Sequence, residues 1–367
     1  MAGADHRRPG PTGAPRQGSP RPTPDNGHRT RRILCSGPAL LRLRRPRSRS
    51  VPRRVRLLDA DRLLHPSPAR RRADEPEFCE PADAWALRAL RLSFTAPLDF
   101  EALLDFFARR AIPGLEEVSG DTLRRTLRLS HGPAVVALSL GSREVEMRAF
   151  GVDPRDEADA VARCRALLDL EADPIAVDTV LAADPVLAPM VRLRPGRRVP
   201  GSVDRFELAV RAILGQQITV AAARGLATRI VAACGPLLPR SDGVLTRLFP
   251  GPDELLAADL SVFTMPLSRR RALLALARHW PCPDRQALLT VPGVGPWTAD
   301  YVEMRSGDRD VLLTNDAALR TALRALPGPV DPERWRPYRA HAVQLLWDLP
   351  RGGGAEAHPL RPVQRTR

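Results

Sequence analysis

From Trp85 onward the apolar positions follow two successive rhythms. Residues 86–94, ALRALRLSF, alternate as a half-buried strand does, and TLRRTLRLS from Thr122, AVVALSL from Ala134 and EVEMRAF from Glu144 read as three more short strands. FEALLDFFARRAI (100–112) instead repeats its apolar residues at helical spacing, as does DEADAVARCRALLDL (156–170). Strand, helix, three strands, helix predicts a small antiparallel sheet backed by helices over 85–171. Beyond Pro174 the spacing is helical almost throughout, interrupted by proline-rich joints such as 192–206. The fold class is therefore α+β, with a helical domain over 172–350.

Two interruptions in the helical part stand out. Ser202 or Asp204 can cap a helix that opens at Phe206 and carries Ala209, Ile213 and Leu214, and Gly215-Gln216-Gln217-Ile218-Thr219 then stops it. The segments around 226–234, 252–260 and 269–280 read as scaffold helices. Further on, an apolar run ending at Val291 meets Pro292-Gly293-Val294-Gly295-Pro296, and a second helix starts at Trp297. Two helices joined by a tight hairpin are predicted over 288–305. Glycines on either side of one aliphatic residue let the backbone take φ > 0 twice, and Pro296 suits a first helical turn. Such a turn presents N–H groups beside a helix N-terminus, where an anion such as a phosphate is favoured.

Next comes VLLTNDAALR from Val311, an apolar stretch entering a Thr-Asn-Asp cluster and then a helix. Asp316 is expected at or near that helix N-terminus, its carboxylate held by local N–H groups. Alone it would be a plain cap. Behind a hairpin that grips a phosphate, it points to chemistry on nucleic acid.

Composition changes this picture in three places. The chain has 367 residues, 43% of them hydrophobic, enough for two or three domains. Its net charge of +15 is local: residues 1–72 hold nineteen arginines against four acidic residues, and the remainder balances. The basicity therefore belongs to an Arg-, Pro-, Gly- and Ser-rich tail over 1–84, expected to be disordered, as is a C-terminal tail over 351–367. The basic tail reads either as an arm adding salt-sensitive affinity for phosphates or as a leader without a role.

Every basic residue is arginine, so no lysine can form a Schiff base. The five cysteines show no C-x-x-C spacing, which argues against zinc, iron–sulfur or disulfide frameworks and fits a reducing cytoplasm. No apolar run reaches membrane-spanning length and no secretory pattern opens the chain, so a cytoplasmic protein is expected.

LLTVPGVGPWTADYVEMR followed by VLLTNDAAL resembles the helix-hairpin-helix, Gly/Pro-rich, catalytic-Asp signature of the base-excision DNA glycosylases. FELAVRAILGQQITVAAA (206–223) and WRPYRAHAVQLLW (335–347) are similar to segments of one branch, the DNA-3-methyladenine glycosylase II (AlkA) family. The resemblance runs over about residues 88–350. It implies a TBP-like first domain, then a two-lobed all-α helix-hairpin-helix glycosylase fold, in a monomer acting on double-stranded DNA that contains alkylated bases.

On that resemblance Asp316 is the catalytic carboxylate. Trp297 and Tyr301, on one helix face at i,i+4, would line the base pocket with Trp347 and Phe106; for Trp347 and Phe106 a plain core position is the alternative. Gly293, Val294, Gly295 and Thr298 of the hairpin would contact DNA, and Gln217 or Ile218 would fill the gap left by an extruded nucleotide. Arg305 and Arg320 are candidate phosphate contacts, and His341 is expected to be structural.

Trp297 occupies the position where strand-cutting relatives carry a lysine nucleophile, which implies a monofunctional enzyme that uses water. No cysteine follows Cys282, so the four-cysteine cluster of the endonuclease III and adenine-mismatch branches has no counterpart. Nor do Cys35 and Cys79 suffice for the alkyl-transfer module that long family members carry at their N-terminus. No redox or metal cofactor is implied, though hairpin carbonyls in relatives can hold a monovalent cation. Two residues depart from the pattern: Gln217 replaces an aliphatic wedge, and Asp348 replaces an aromatic residue beside Trp347, where it is expected to alter the pocket's outer wall. Two other readings stay open, a glycosylase specialised for deaminated bases and a non-catalytic helix-hairpin-helix DNA-binding protein.

Overall fold

The structure is a computed structural model and describes residues 85–262 and 264–349. The tails expected over 1–84 and 351–367 lie outside the described residues.

A five-stranded antiparallel sheet comes first, from β1 (Leu87–Ser93), β2 (Glu116–Ser119), β3 (Thr122–Leu129), β4 (Gly132–Leu140) and β5 (Glu144–Phe150), in the order β1-β5-β4-β3-β2. Helix α1 (Phe100–Ala108) joins β1 to β2 and is capped by Asp99, which accepts from Ala102 N at 3.2 Å. With α2 (Glu157–Leu167) it covers one sheet face, burying Leu103, Phe107 and Cys164 against Leu127, Val136, Leu138 and Met147.

The sequence pattern finds four of these strands and misses β2. EEVS is short and polar, and it becomes a strand only by pairing with β3, Glu116 opposite Arg125.

The helical part comprises α3 (Pro174–Ala182), α4 (Ala188–Leu193), α5 (Arg205–Leu214), α6 (Val220–Cys234), α7 (Pro252–Ala257), α8 (Leu267–His279), α9 (Arg285–Leu289), α10 (Pro296–Arg305), α11 (Ala317–Ala325) and α12 (Arg339–Trp347). Asp204 rather than Ser202 caps α5, accepting from Glu207 N at 2.7 Å. The helices gather into two lobes with separate cores. One packs Ile213, Ile230, Leu273, Leu276 and Val302; the other packs Leu181, Leu313, Leu319, Val343 and Leu346 around Trp335. Tyr301 on α10 borders both cores.

The helical expectation fails between α6 and α7. There β6 (Leu237–Asp242) and β7 (Leu245–Arg247) form a ribbon whose Leu238, Leu245 and Leu248 bury Val135, on the sheet face opposite α1. That cover explains why AVVALSL reads as a nearly unbroken apolar run: strands buried on both faces lose their alternation.

Sheet and helices are joined by a buried ionic cluster. Arg125 of β3 reaches Glu207 of α5 at 2.8 Å and Glu116 of β2 at 3.3 Å, while Arg211 of α5 reaches Glu116 at 2.7 Å and Glu207 at 2.8 Å. Burial alone would raise the Glu207 carboxyl, but the guanidiniums of Arg125 and Arg211 outweigh it and hold that group below the usual carboxylate range.

Candidate active site

The hairpin between α9 and α10 differs from expectation in one respect. Gly293 takes φ +89°, and a Cβ there would lie 2.6 Å from Ala272 Cβ, so this position needs glycine for both conformation and space. Gly295 has φ −97° and open space around it, and acts as the N-cap of α10. Only one of the two glycines is left-handed, because the second already belongs to the extended entry into the helix.

Val294 is buried and closes the turn, its N–H donating to Val291 O at 3.0 Å. Its side chain and that of Thr298 are therefore not available to DNA as expected: Thr298 is buried, and its hydroxyl accepts from Gln216 Nε2 at 2.9 Å. No side chain caps α10, so the N–H groups of its first turn stay open. The hairpin carbonyls of Val291 and Gly293 each accept a hydrogen bond. Each keeps a second lone pair, compatible with the monovalent cation implied by the resemblance.

The loop after α5 is tied to this hairpin. Besides reaching Thr298, Gln216 Nε2 donates to Gly293 O at 3.1 Å, and Arg269 donates to Gln216 O at 2.5 Å. The anchoring forces the next residue outward: Gln217 sits at φ +57° and is exposed, while Ile218 packs partly against the α5–α6 core. Gln216 escaped the sequence reading, whose only signal was a second amide in a helix break.

Asp316 caps α11, and its carboxylate has three donors. Oδ1 accepts from Leu319 N at 2.7 Å and Trp347 Nε1 at 3.1 Å, and Oδ2 accepts from Trp297 Nε1 at 3.0 Å. The two tryptophans, expected as pocket walls, also hold the carboxylate. Oδ2 keeps a free lone pair, and the residue stays 9% exposed.

Trp297 and Tyr301 stack with centroids 5.3 Å apart at 16°, and Trp347 lies 6.4 Å from Tyr301. These rings and Asp316 border a cleft of about 1190 Å³, closed on its far side by Phe106 and Arg110 at the end of α1.

Phe106 is 2% exposed, so it is a core residue that also lines the cleft. The guanidinium of Arg110 lies 3.7 Å from its ring centroid and that of Arg305 lies 4.8 Å away. Arg305 is not a phosphate contact. It is buried and donates to Pro200 O at 2.7 Å, Gly201 O at 2.6 Å and the Tyr301 hydroxyl at 3.1 Å. Arg320 is exposed at the cleft rim.

Burial pushes the Arg110 guanidinium down to about 10. For Tyr301 burial acts to raise the phenol, but the charges of Arg305 and Arg110 prevail and hold it below its ordinary value. Nothing in a helix ending in Ala-Arg-Arg told Arg110 from a solvated surface residue.

Asp348 does not line the cleft. It turns to Arg197, 3.0 Å away, and burial raises its carboxyl despite that partner and Arg194. His341 is fully buried with Nε2 3.2 Å from Asp169, in a structural position.

Two helical lobes flanking an aromatic cleft, with a Gly-Val-Gly hairpin and an aspartate-capped helix beside it, make the architecture of the helix-hairpin-helix DNA glycosylases. The likeness of fold is to a 3-methyladenine DNA glycosylase from Archaeoglobus fulgidus, with a TM-score of 0.62 at 19% identity, covering 71% of this chain and 97% of that one. The AlkA N-terminal domain profile matches residues 89–204. DNA-3-methyladenine glycosylase 2 of Escherichia coli (strain K12) is 32% identical over 279 residues, 70% of this chain and 95% of that protein. The chain belongs to that family, the DNA-3-methyladenine glycosylase 2 (AlkA) family. A "Probable bifunctional transcriptional activator/DNA repair enzyme AlkA" of Mycobacterium tuberculosis is 40% identical over 279 residues; the match takes in 71% of this chain and 56% of that relative, about half its length.

Proposed function

We propose that the chain hydrolyses the N-glycosidic bond of alkylated purines, of the 3-methyladenine and 7-methylguanine type, in duplex DNA, acting as a monofunctional glycosylase and a monomer in the cytoplasm. The carrying observation is the Asp316 carboxylate, fixed by two indole N–H groups and a backbone N–H at the edge of an aromatic cleft. Family membership supports the reading. No helix among the described residues is long and apolar enough to cross a membrane.

In this reading the damaged nucleotide leaves the stack and its base enters the cleft, where stacking and cation–π attraction favour a cationic alkylated ring by about 0.5–2 kcal/mol per contact. Gln217, exposed at its loop tip, fills the gap left in the duplex, and the open N–H groups of α10 take a phosphate. As the bond from C1′ to the base nitrogen breaks, the electron pair leaves with the base, and an alkylated base needs no added proton. The sugar gains oxocarbenium character, which the free lone pair of Asp316 Oδ2 stabilises. Water then attacks C1′ and loses its proton, leaving an abasic site. No lysine is available for a Schiff base, so the strand stays intact.

The test compares wild type with Asp316→Asn for release of free base from methylated duplex DNA, with strand breaks scored before and after alkali. Wild-type release that falls by about a hundredfold or more in the variant, with breaks only after alkali, is the expected outcome. DNA binding without base release from any methylated or deaminated substrate would replace this reading with a binding module. Light scattering at working concentration tests the monomer.

A further inference from the structure

Tyr301 is in the cleft for more than stacking. A phenol offers one donor hydrogen and two acceptor lone pairs, whereas a guanidinium can only donate. Arg305 donates to the Tyr301 oxygen at 3.1 Å and cannot swing away, because Pro200 O and Gly201 O hold its other nitrogens. The Arg110 guanidinium is a second cation acting on the same phenol. It is fixed by its bond to Phe106 O at 3.1 Å and by its seat over the Phe106 ring.

With one lone pair taken by Arg305 and two guanidiniums that can only donate beside it, the phenol hydrogen has neither arginine as a target. No acceptor among the described residues receives it, and Tyr301 lines the cleft.

We infer that Tyr301 is a fixed hydrogen-bond donor to a carbonyl oxygen on the extruded base, and so a specificity-determining residue that favours carbonyl-bearing bases. This deepens the glycosylase reading and rests on it. Asp316 and the Tyr301 hydroxyl, the latter backed by guanidiniums, both line the cleft. When the glycosidic bond of a neutral base breaks, its electron pair stays on the base and spreads onto the carbonyl oxygen. A donor there strengthens as that charge grows. The departing base finally takes up the proton released by the attacking water, which balances the hydrolysis. The lowered phenol value has the same physical origin, since neighbouring cations that stabilise a phenolate also make the neutral O–H a better donor.

The experiment measures single-turnover base release by wild type and Tyr301→Phe from four duplexes carrying hypoxanthine, unsubstituted purine, 7-methylguanine or 3-methyladenine. Hypoxanthine and 7-methylguanine bear a carbonyl oxygen; the other two do not. The expected result is a loss of about tenfold or more on the carbonyl-bearing pair and little change on the other pair, with the saturating single-turnover rate rather than the half-saturating enzyme concentration carrying the loss. Equal losses on all four would reduce Tyr301 to a stacking wall and overturn the inference, as would no loss on any.

A second measurement keeps the Tyr301 side chain in place. The chain has two tyrosines, so a Tyr338→Phe protein grown on 3-fluorotyrosine carries the more acidic phenol at Tyr301 alone. Release of hypoxanthine should rise relative to purine, and an unchanged ratio counts against the donor. Release of 3-methyladenine with a flat carbonyl ratio sinks this inference alone; no release of any base by wild type sinks the glycosylase reading with it.

Discussion

Two indole N–H groups aimed at one carboxylate are an unusual use of tryptophan, and they set the residue-scale expectations. Trp347 is more than a wall: its N–H to Asp316 Oδ1 is a hydrogen bond to a charged group, the kind that contributes about 1.5–3 kcal/mol. Trp347→Phe keeps the ring and drops the donor, so single-turnover base release should fall by about ten- to a hundredfold while thermal stability changes little. A rate within twofold of wild type would confine Trp347 to packing. At this scale the sequence was partly legible. Asp316, Trp297, Tyr301 and Trp347 lie in or beside a recognisable motif, and the structure gathers them. Arg110, Arg305 and Gln216 were not legible, because each takes its meaning from partners between 4 and 105 positions away in the chain.

Among the elements, the α9–α10 hairpin separates two glycines that look equivalent in Pro-Gly-Val-Gly-Pro. Gly293→Ala would place a methyl group 2.6 Å from Ala272 Cβ and hold alanine at φ +89°. The combined overpacking and left-handed strain should cost about 2–4 kcal/mol in urea unfolding. Gly295→Ala meets nothing within 4 Å and an ordinary φ, so it should cost only about 0.5–1 kcal/mol, the difference between glycine and alanine as an N-cap. Equal costs at the two positions would show that the turn is held differently. The pattern located this hairpin but not which glycine is strained, since that depends on α8 packing beneath it. Strand β2 and the β6–β7 ribbon escaped for a related reason. Both are short, and both owe their order to contacts with the sheet rather than to any periodicity of their own.

At the scale of the whole molecule, the Arg125–Glu116–Arg211–Glu207 cluster is the ionic link between sheet and helices. Because Glu207 titrates below its ordinary value when folded, the unfolded chain binds more protons across the window between the two values. The contribution of Glu207 to stability is therefore complete above about pH 4.3, the ordinary glutamate value, and is lost as pH falls through the lower folded value. Glu207→Gln should flatten the acid limb of a stability-against-pH curve. At neutral pH it also leaves Arg125 and Arg211 short of a partner, costing about 3–5 kcal/mol. An unchanged acid limb in the variant would assign acid sensitivity elsewhere.

Local chemistry determined what could be read from residue order: strand alternation, helix spacing, the Asp316 cap, the hairpin, and the absence of lysine that bars a covalent imine. Each needs only neighbours within a few positions, where propensity and capping act. The tertiary structure alone decided which way the polar side chains turned. It buried Thr298 and Arg305, sent Asp348 away from the cleft to Arg197, set Gln217 outward, and closed two arginines around the Tyr301 phenol. A charged or polar side chain in a sparse pattern has no intrinsic direction. Its orientation follows from which partners the packed lobes bring within hydrogen-bond reach and from the cost of leaving any of them unpaired.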